Sequence, residues 1–416
     1  MRPHIAIIGG GIGGLCLAQG LKKAGHPVTV FERDRTPGDR LQGYRVHIDP
    51  NGARALRDCL PAHLWQAFLD TAGVSGQDFG FLTEKMDQLL LIETAKAADP
   101  ADDHHSVSRI TLRQVLLSGM QDVVRFGKTF ERYERLADGR IRLLFEDGTS
   151  ETADIVVAAD GGNSRVRKQY LPHAQRVDTH ITTVAGKFPL TPQTKRLVAD
   201  RLVAGPNSVI PPVGMGLFCA PHELGDDAPR TGIGSTEQAG ALMDNTSSYV
   251  LWAFGATIDR FPSNISQMSG KELKDTVARM IQTWHPDLRK LVDLSHPDTV
   301  TLLPIRTSIP IEPWQATNIT LLGDAIHSMT PMRGIGANTA LRDARLLHQA
   351  LTSGQDPVRA IAAYEEQMRE YGFAAVRDSM KAAEQFTGGS RLARTGFKTF
   401  LRVAQRFPKL KAKVFS

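Results

Sequence analysis

The residues in this chain best suited to chemistry are glycines paired with acids rather than nucleophiles. Gly9-Gly10-Gly11-Ile12-Gly13-Gly14 fits GxGxxG, directly after an apolar run and ahead of a helical stretch. In that pattern Gly9 allows a tight turn, Gly11 lets the backbone approach a pyrophosphate, and Gly14 lets helix and strand pack closely. The bare N–H groups and dipole of the helix N-terminus favour the negative charge. Glu32 follows Gly14 by 18 residues, at the end of the next apolar run, where a carboxylate accepts hydrogen bonds from ribose hydroxyls. This pattern specifies a dinucleotide and leaves FAD and NAD both open.

Two further segments share the composition. Asp160-Gly161-Gly162-Asn163-Ser164-Arg165-Val166-Arg167 leaves another apolar run and reads as an acid in a crevice at a strand's carboxyl end, or, taken alone, as a solvated loop. Gly323-Asp324-Ala325-Ile326-His327 is followed by Pro331 and by Gly334-Ile335-Gly336-Ala337-Asn338. Asp324 can bind a polyol hydroxyl. The later glycines open a long helix whose free N–H groups suit an anionic ring edge, and reduced flavin is such an anion.

The elements that must position these groups are legible in outline. Ile5–Ile8, Val28–Glu32, Asp154–Ala159 and Leu321–Leu322 are apolar runs expected to be buried strands. Helices are expected over Gly13–Gly25, Arg109–Met120 and Gly336–Leu351, with hairpin turns at Asp138-Gly139 and Asp147-Gly148. From about Asp178 to Asp293, short strands such as Tyr249–Phe254 alternate with Gly- and Pro-containing turns, and a helix is expected near Lys271–Trp284. That predicts a separate, mainly antiparallel sheet with a helical cover. Beyond Asp356 the chain reads as helix.

Composition narrows the class. The 416 residues are 41% hydrophobic and 23% charged, ordinary for a globular chain long enough for two or three packed units. Cys16, Cys59 and Cys219 form no metal-ligand cluster, which argues for a reducing compartment and against zinc. No segment reads as a signal peptide or membrane span, so a cytoplasmic protein is expected. Eight basic residues and no acid lie between Gln385 and Ser416; taking them from the net charge of +6 leaves −2 on the other 384 residues. The basicity belongs to a tail, and nucleic-acid binding is not expected.

Taken together, the three glycine-and-acid segments resemble the class A FAD-dependent aromatic hydroxylases, over nearly the whole chain and in the family's order. Within that family the chain looks most similar to compact members such as the tetracycline-inactivating monooxygenases, through Ser108-Arg109 before Leu112-Arg113, the run Glu151–Asp154, and Tyr364-Glu365-Glu366-Gln367-Met368 with Tyr371-Gly372. The resemblance implies an α/β fold: a Rossmann-like FAD-binding domain over residues 1–72, 101–174 and 298–352, an inserted, mainly antiparallel substrate domain over 73–100 and 175–297, and C-terminal helices over 353–416. It implies adenosine-ribose binding by Glu32 beside Arg33, and contact of Arg109 with the ribityl–phosphate region. Asp324 would hold the ribityl or pyrophosphate part, and Gly336, Ala337 and Asn338 would face the isoalloxazine. Asp160 would serve FAD and NADPH, and Arg40 would serve NADPH. His47 and Arg333 depart from the family pattern. His47 reads as a flavin contact, a substrate contact or, preferably, a packed histidine; Arg333 as a substrate-side or solvent-facing cation. His104, His105 and His327 read as surface or loop residues rather than ligands.

The resemblance further implies a single-component monooxygenase. NADPH or NADH reduces FAD, dioxygen adds, and a flavin hydroperoxide passes one oxygen to an aromatic or polycyclic molecule, with no metal and no protein nucleophile. An oxidase or reductase on the same scaffold, or an FAD-binding protein without turnover, are the rivals. A halogenase is disfavoured, because Trp252-Ala253-Phe254 and Trp314-Gln315-Ala316 do not match that group's WxWxIP segment. A monomer or homodimer is expected. In the tail, Ala393, Phe397, Phe400, Ala404 and Phe407 follow helical spacing, with Pro408 ending the helix. Fold-back of Phe397, Phe400 and Phe407 onto both domains is preferred there over contact with an anionic membrane.

Overall fold

The computed structural model describes residues 2–39, 44–225, 247–388 and 390–415. Its organising element is a five-stranded sheet in the order Ile319–Leu321, Ile155–Ala158, Ile5–Ile8, Val28–Phe31 and Val124–Arg125, with every pairing parallel. The central strands are fully buried, which is why they read as unbroken apolar runs: a parallel sheet is covered on both faces. The helix Ile12–Lys23 packs against the helix Gly336–Thr352 on one side of it. Because the strands share one direction, their carboxyl ends share one edge. Gly9, Glu32, Asp160 and Gly323 all follow strands at that edge.

A second sheet of seven strands runs Thr301–Ser308, Arg176–Pro189, Tyr249–Thr257, Met215–His222, Asn207–Ile210, Phe79–Thr83 and Gln88–Ile92. All pairings are antiparallel except that of Asn207–Ile210 with Phe79–Thr83. Thr301–Ser308 hydrogen-bonds into this sheet although it falls within the 298–352 stretch expected of the nucleotide unit. One face buries Val184, Phe188, Leu217, Trp252 and Phe254 with Leu273, Val277, Leu288 and Leu291 of the helices Gly270–Met280 and Pro286–Asp293. The first of these helices starts where Ser269 and Glu272 form a reciprocal capping box, satisfying two otherwise orphaned N–H groups. A ribbon of Arg45–Ile48 with His105–Ser108 and a sheet of Phe130–Arg135, Ile141–Phe145 and Ser150–Ala153 complete the strands among the described residues.

The helix Pro357–Thr387 bridges the two large sheets. Its 31 residues span about 46 Å. Near its start Tyr364 donates to the carbonyl of Leu321, and Thr320 donates to Glu365, both on the edge strand of the parallel sheet. Near its end the ring of Phe386 fills the space that side chains would occupy at Gly216 and Gly255 of the seven-stranded sheet.

Two helices follow, Arg391–Arg406 and Pro408–Phe415, divided at Pro408. The first packs back on the edge strand Gln88–Ile92 through Leu401, Ala404 and a half-buried Phe397. Phe400 and Phe407 do not take part: they are 36% and 59% exposed. The expected apolar face ran along the rim of the buried one, because the true inward positions centre on Leu401.

Candidate cofactor site

A cavity of about 480 Å³ opens at the shared strand edge and is lined by the first two glycine-and-acid segments. Gly9 holds φ +111°, and a side chain there would meet the carbonyl oxygen of Ala159 at 2.3 Å, so only glycine lets this turn pass the neighbouring loop. At Gly11 a side chain would meet nothing within 4 Å; that backbone faces open space where a ligand can approach. Gly14 presses its helix against Gly9 and Ala159.

Glu32 is nearly buried at the wall of this cavity. Its Oε2 accepts the Gly10 N–H at 2.6 Å and its Oε1 accepts the Asp34 N–H at 2.9 Å. Each oxygen keeps a second lone pair for a hydroxyl. Arg113 ties the corner together, donating to the carbonyls of Gly10 and Pro37 and lying 3.4 Å from Asp34. Sequence reasoning gave Arg113 no role, although it lies one helical turn beyond Arg109. Arg33 and Arg109 line the same cavity, both exposed. In all, Arg33, Arg109, Arg113, Lys128, Arg165 and Lys168 face Glu32, Asp34 and Asp160 there. Lys128, Arg165 and Arg113 are ion-paired to Asp147, Glu146 and Asp34, so Arg33, Arg109 and Lys168 are the cations best suited to a pyrophosphate.

Asp160 caps the second loop. Its Oδ2 accepts the N–H of Arg165 at 2.8 Å, while the buried Oδ1 has no protein partner. Burial pushes its pKa up, against the hydrogen bonds from the Arg165 and Val166 N–H groups. An orphaned buried acceptor on the cavity wall is what a ligand hydroxyl would satisfy.

The third segment does not line that cavity. It leaves the adjacent strand, and Arg167 joins the two loops by donating to the carbonyls of Gly162 and Ala325. Asp324 begins the short helix Asp324–His327 and is exposed, within electrostatic reach of Arg176. Behind it lies a buried network. Asp343 accepts the Gly323 N–H at 2.7 Å, His327 Nε2 at 2.6 Å and the Tyr371 hydroxyl at 2.5 Å. His327 is therefore a core residue rather than the expected surface or loop histidine. Burial alone would lower its pKa, but Asp343 outweighs that and holds it above the ordinary histidine value. The pairing partner lies on the following helix, a juxtaposition that spacing does not reveal.

Gly336 and Ala337 open the helix Gly336–Thr352 with partly exposed backbone and no side-chain cap. Asn338, by contrast, is buried: it donates to the carbonyl of His47 at 2.8 Å and accepts the Asp49 N–H at 3.0 Å. Its side chain clamps the ribbon to this helix, so only its backbone remains for the expected ring contact. His47 lies 3.0 Å from His104, ring on ring, and burial with Arg45 and His104 lowers its pKa to about 3. It stacks on the His104 ring and stays half-buried. Arg333 reaches Asp378 at 3.2 Å on the surface. Arg40 lies outside the described residues.

Fold and site together define a dinucleotide-binding flavoprotein, and the residues fit FAD. Residues 7–72 match the NAD(P)-binding Rossmann-like domain and residues 245–379 the FAD binding domain. A solved FAD-containing protein of Photorhabdus luminescens subsp. laumondii, assigned to the monooxygenases, is 36% identical, with TM-score 0.81 over 93% of this chain and 99% of that one. The dual O-methyltransferase/FAD-dependent monooxygenase CTB3 of Cercospora beticola is 32% identical over 88% of this chain. The chain spans 44% of that protein's length. The 3-amino-4-hydroxybenzoate 2-monooxygenase PtnB3 of Streptomyces platensis is 28% identical over 88% of this chain and 84% of its own. The chain belongs to the class A FAD-dependent monooxygenases, the flavin aromatic hydroxylase family.

Proposed function

We propose that this chain is a single-component monooxygenase that takes electrons from NADPH or NADH and inserts one oxygen atom of dioxygen into an aromatic or polycyclic molecule. The observation that carries this reading is the convergence of four loops, after Ile8, Phe31, Ala158 and Leu321, on one edge of adjacent parallel strands. FAD, when bound, would supply the redox and oxygen-transfer chemistry.

The protein's own residues would do the holding. Gly11 leaves room for the pyrophosphate, Glu32 takes ribose hydroxyls, and the cavity's cations offset the phosphate charge. Asp160 and Asp324 take hydroxyls further along the edge, with Asp343 and Arg167 fixing the loops that carry them. The uncapped N–H groups of Gly336 and Ala337 would offer donors to the flavin ring. The seven-stranded sheet roofs the substrate. The face away from its helices carries Ala185, Leu251, Ala253 and Phe218, ending where Lys187 lies over the rings of Tyr249 and of Tyr44, just ahead of the ribbon. An aromatic substrate also accords with the amino-hydroxybenzoate in the name of the Streptomyces relative.

The test is NAD(P)H consumption by the FAD-loaded chain across a panel of phenols, quinones and polyketides under oxygen-18. Compound-stimulated oxidation with one labelled atom in the product is expected. A product without label makes the chain an oxidase or reductase, and no stimulation by any compound leaves a flavin binder.

A further inference from the structure

The helix Arg391–Arg406 has two apolar faces, and the fold uses one. Leu401, Ala404 and Phe397 point inward to the edge strand Gln88–Ile92. Leu392, Phe400, Val403 and Phe407 point outward, at 83%, 36%, 39% and 59% exposure. With Gly396 these outward positions recur at spacings of four, four, three and four, a continuous stripe along the helix. Val414 of the next helix is also exposed.

Charge says what covers the stripe. Two tail lysines face the protein and are paired, Lys398 with Glu84 and Lys411 with Glu93. Arg391, Arg402 and Arg406 lie along one flank of the outward stripe, exposed and without an acidic partner among the described residues. The tail from Gln385 to Ser416 contains no acid. An apolar stripe flanked by arginines is the pattern of a helix lying in the headgroup region of an anionic bilayer. A second copy of the chain fits poorly. Sixteen residues give a stripe about 24 Å long, too narrow for the roughly 1,000 Å² of a stable interface, and two copies would oppose like charges. No helix among the described residues is long and apolar enough to cross a membrane.

We infer that the outward face of Arg391–Arg406 docks this protein on anionic lipid surfaces, while the inward face holds the helix to the roof sheet. Fold-back and membrane contact are then properties of opposite sides of one helix. The dock is peripheral and reversible, because its apolar area is small.

Cosedimentation of the FAD-loaded full chain with phosphatidylcholine vesicles, with and without phosphatidylglycerol, tests this. Binding is expected only to the anionic vesicles, weakening on the order of tenfold as salt is raised. The double variant V403E/F407E changes exposed side chains only. It is expected to lose on the order of tenfold or more in vesicle affinity, with flavin content and melting temperature unchanged. R402Q/R406Q is expected to lose about fivefold per charge removed. Failure of the parent to bind anionic vesicles overturns the inference, as does full retention by V403E/F407E. A concentration-dependent dimer that V403E/F407E abolishes, without vesicle binding, assigns the stripe to a second copy instead.

Discussion

The two large sheets meet the same chain with opposite divisions of labour. In the five-stranded parallel sheet, side chains build the core on both faces, and the cavity lies at the loops beyond one edge, walled by glycine backbone together with Glu32 and Asp160. In the seven-stranded sheet one face packs under helices, while the other carries a smaller cluster around Ala185, Tyr249 and Leu251, so what the sheet presents is side chains. The difference follows from strand direction. Parallel strands deliver every carboxyl end to one edge, where N–H groups and acids can share one long ligand. Antiparallel strands send their ends both ways, and their available surface is a face. A turn that depends on glycine, as at Gly9, tolerates few changes in backbone shape. A face built from side chains can be rewritten one residue at a time.

The largest effect expected from breaking this contrast is at Gly9. Gly9→Ala meets both a left-handed φ and the 2.3 Å approach to Ala159, which carries the second loop. It should purify with less than about a tenth of the parent's flavin absorbance. Gly11→Ala, facing open space, should melt like the parent without FAD, yet bind FAD on the order of tenfold more weakly. Equal behaviour of the two variants would remove the distinction between turn and approach.

Next comes the roof. Trp252 is fully buried and donates from Nε1 to Ser295 at 2.7 Å. Trp252→Ala should cost about 3–5 kcal/mol in denaturant unfolding. If folded protein is recovered, it should keep its flavin, because the core lost is that of the other sheet. Loss of flavin in parallel with stability would show that the sheets are one cooperative unit.

The smallest effect sharpens the comparison by pH. Glu365 is buried against the edge strand of the parallel sheet, and burial raises its pKa to about 7, against the hydrogen bond from Thr320. The folded state therefore favours the protonated acid. That contribution is complete below about pH 4.5, the group's ordinary value, and is lost as pH rises through about 7. Glu365→Gln keeps a neutral side chain throughout. It should match the parent near pH 4.5 and exceed it at pH 8 by on the order of 2 kcal/mol, read from melting curves. A constant difference across that range would mean Glu365 does not titrate there.

How much could be read in advance depended on the reach of the interaction. Four strands of the parallel sheet, the glycine turns and the acid after Val28–Phe31 were legible, because continuous apolar runs and turn residues encode themselves locally; the two-residue edge strand Val124–Arg125 is too short to do so. The helix expected near Lys271–Trp284 is real but stops at Met280, where His285 caps a new helix that short-range periodicity does not separate. His327 read as a surface histidine because Asp343 and Tyr371 arrive from later helices. The resemblance implied a ring contact for Asn338, and nothing nearby in the chain shows the ribbon that its side chain clamps. The tail's apolar face was drawn through Phe400 and Phe407, since two stripes on one helix blur into one when the packing partner is unknown.

The sequence by itself determined where the chain turns, which runs are buried and that a dinucleotide is held, since these depend on φ, on side-chain period and on residues within a few positions of each other. Only the tertiary structure decided that the four loops share an edge, which histidine is core, and which face of the last helices meets solvent. Those outcomes depend on hydrogen bonds and contacts between residues far apart in the chain, and local spacing carries no record of them.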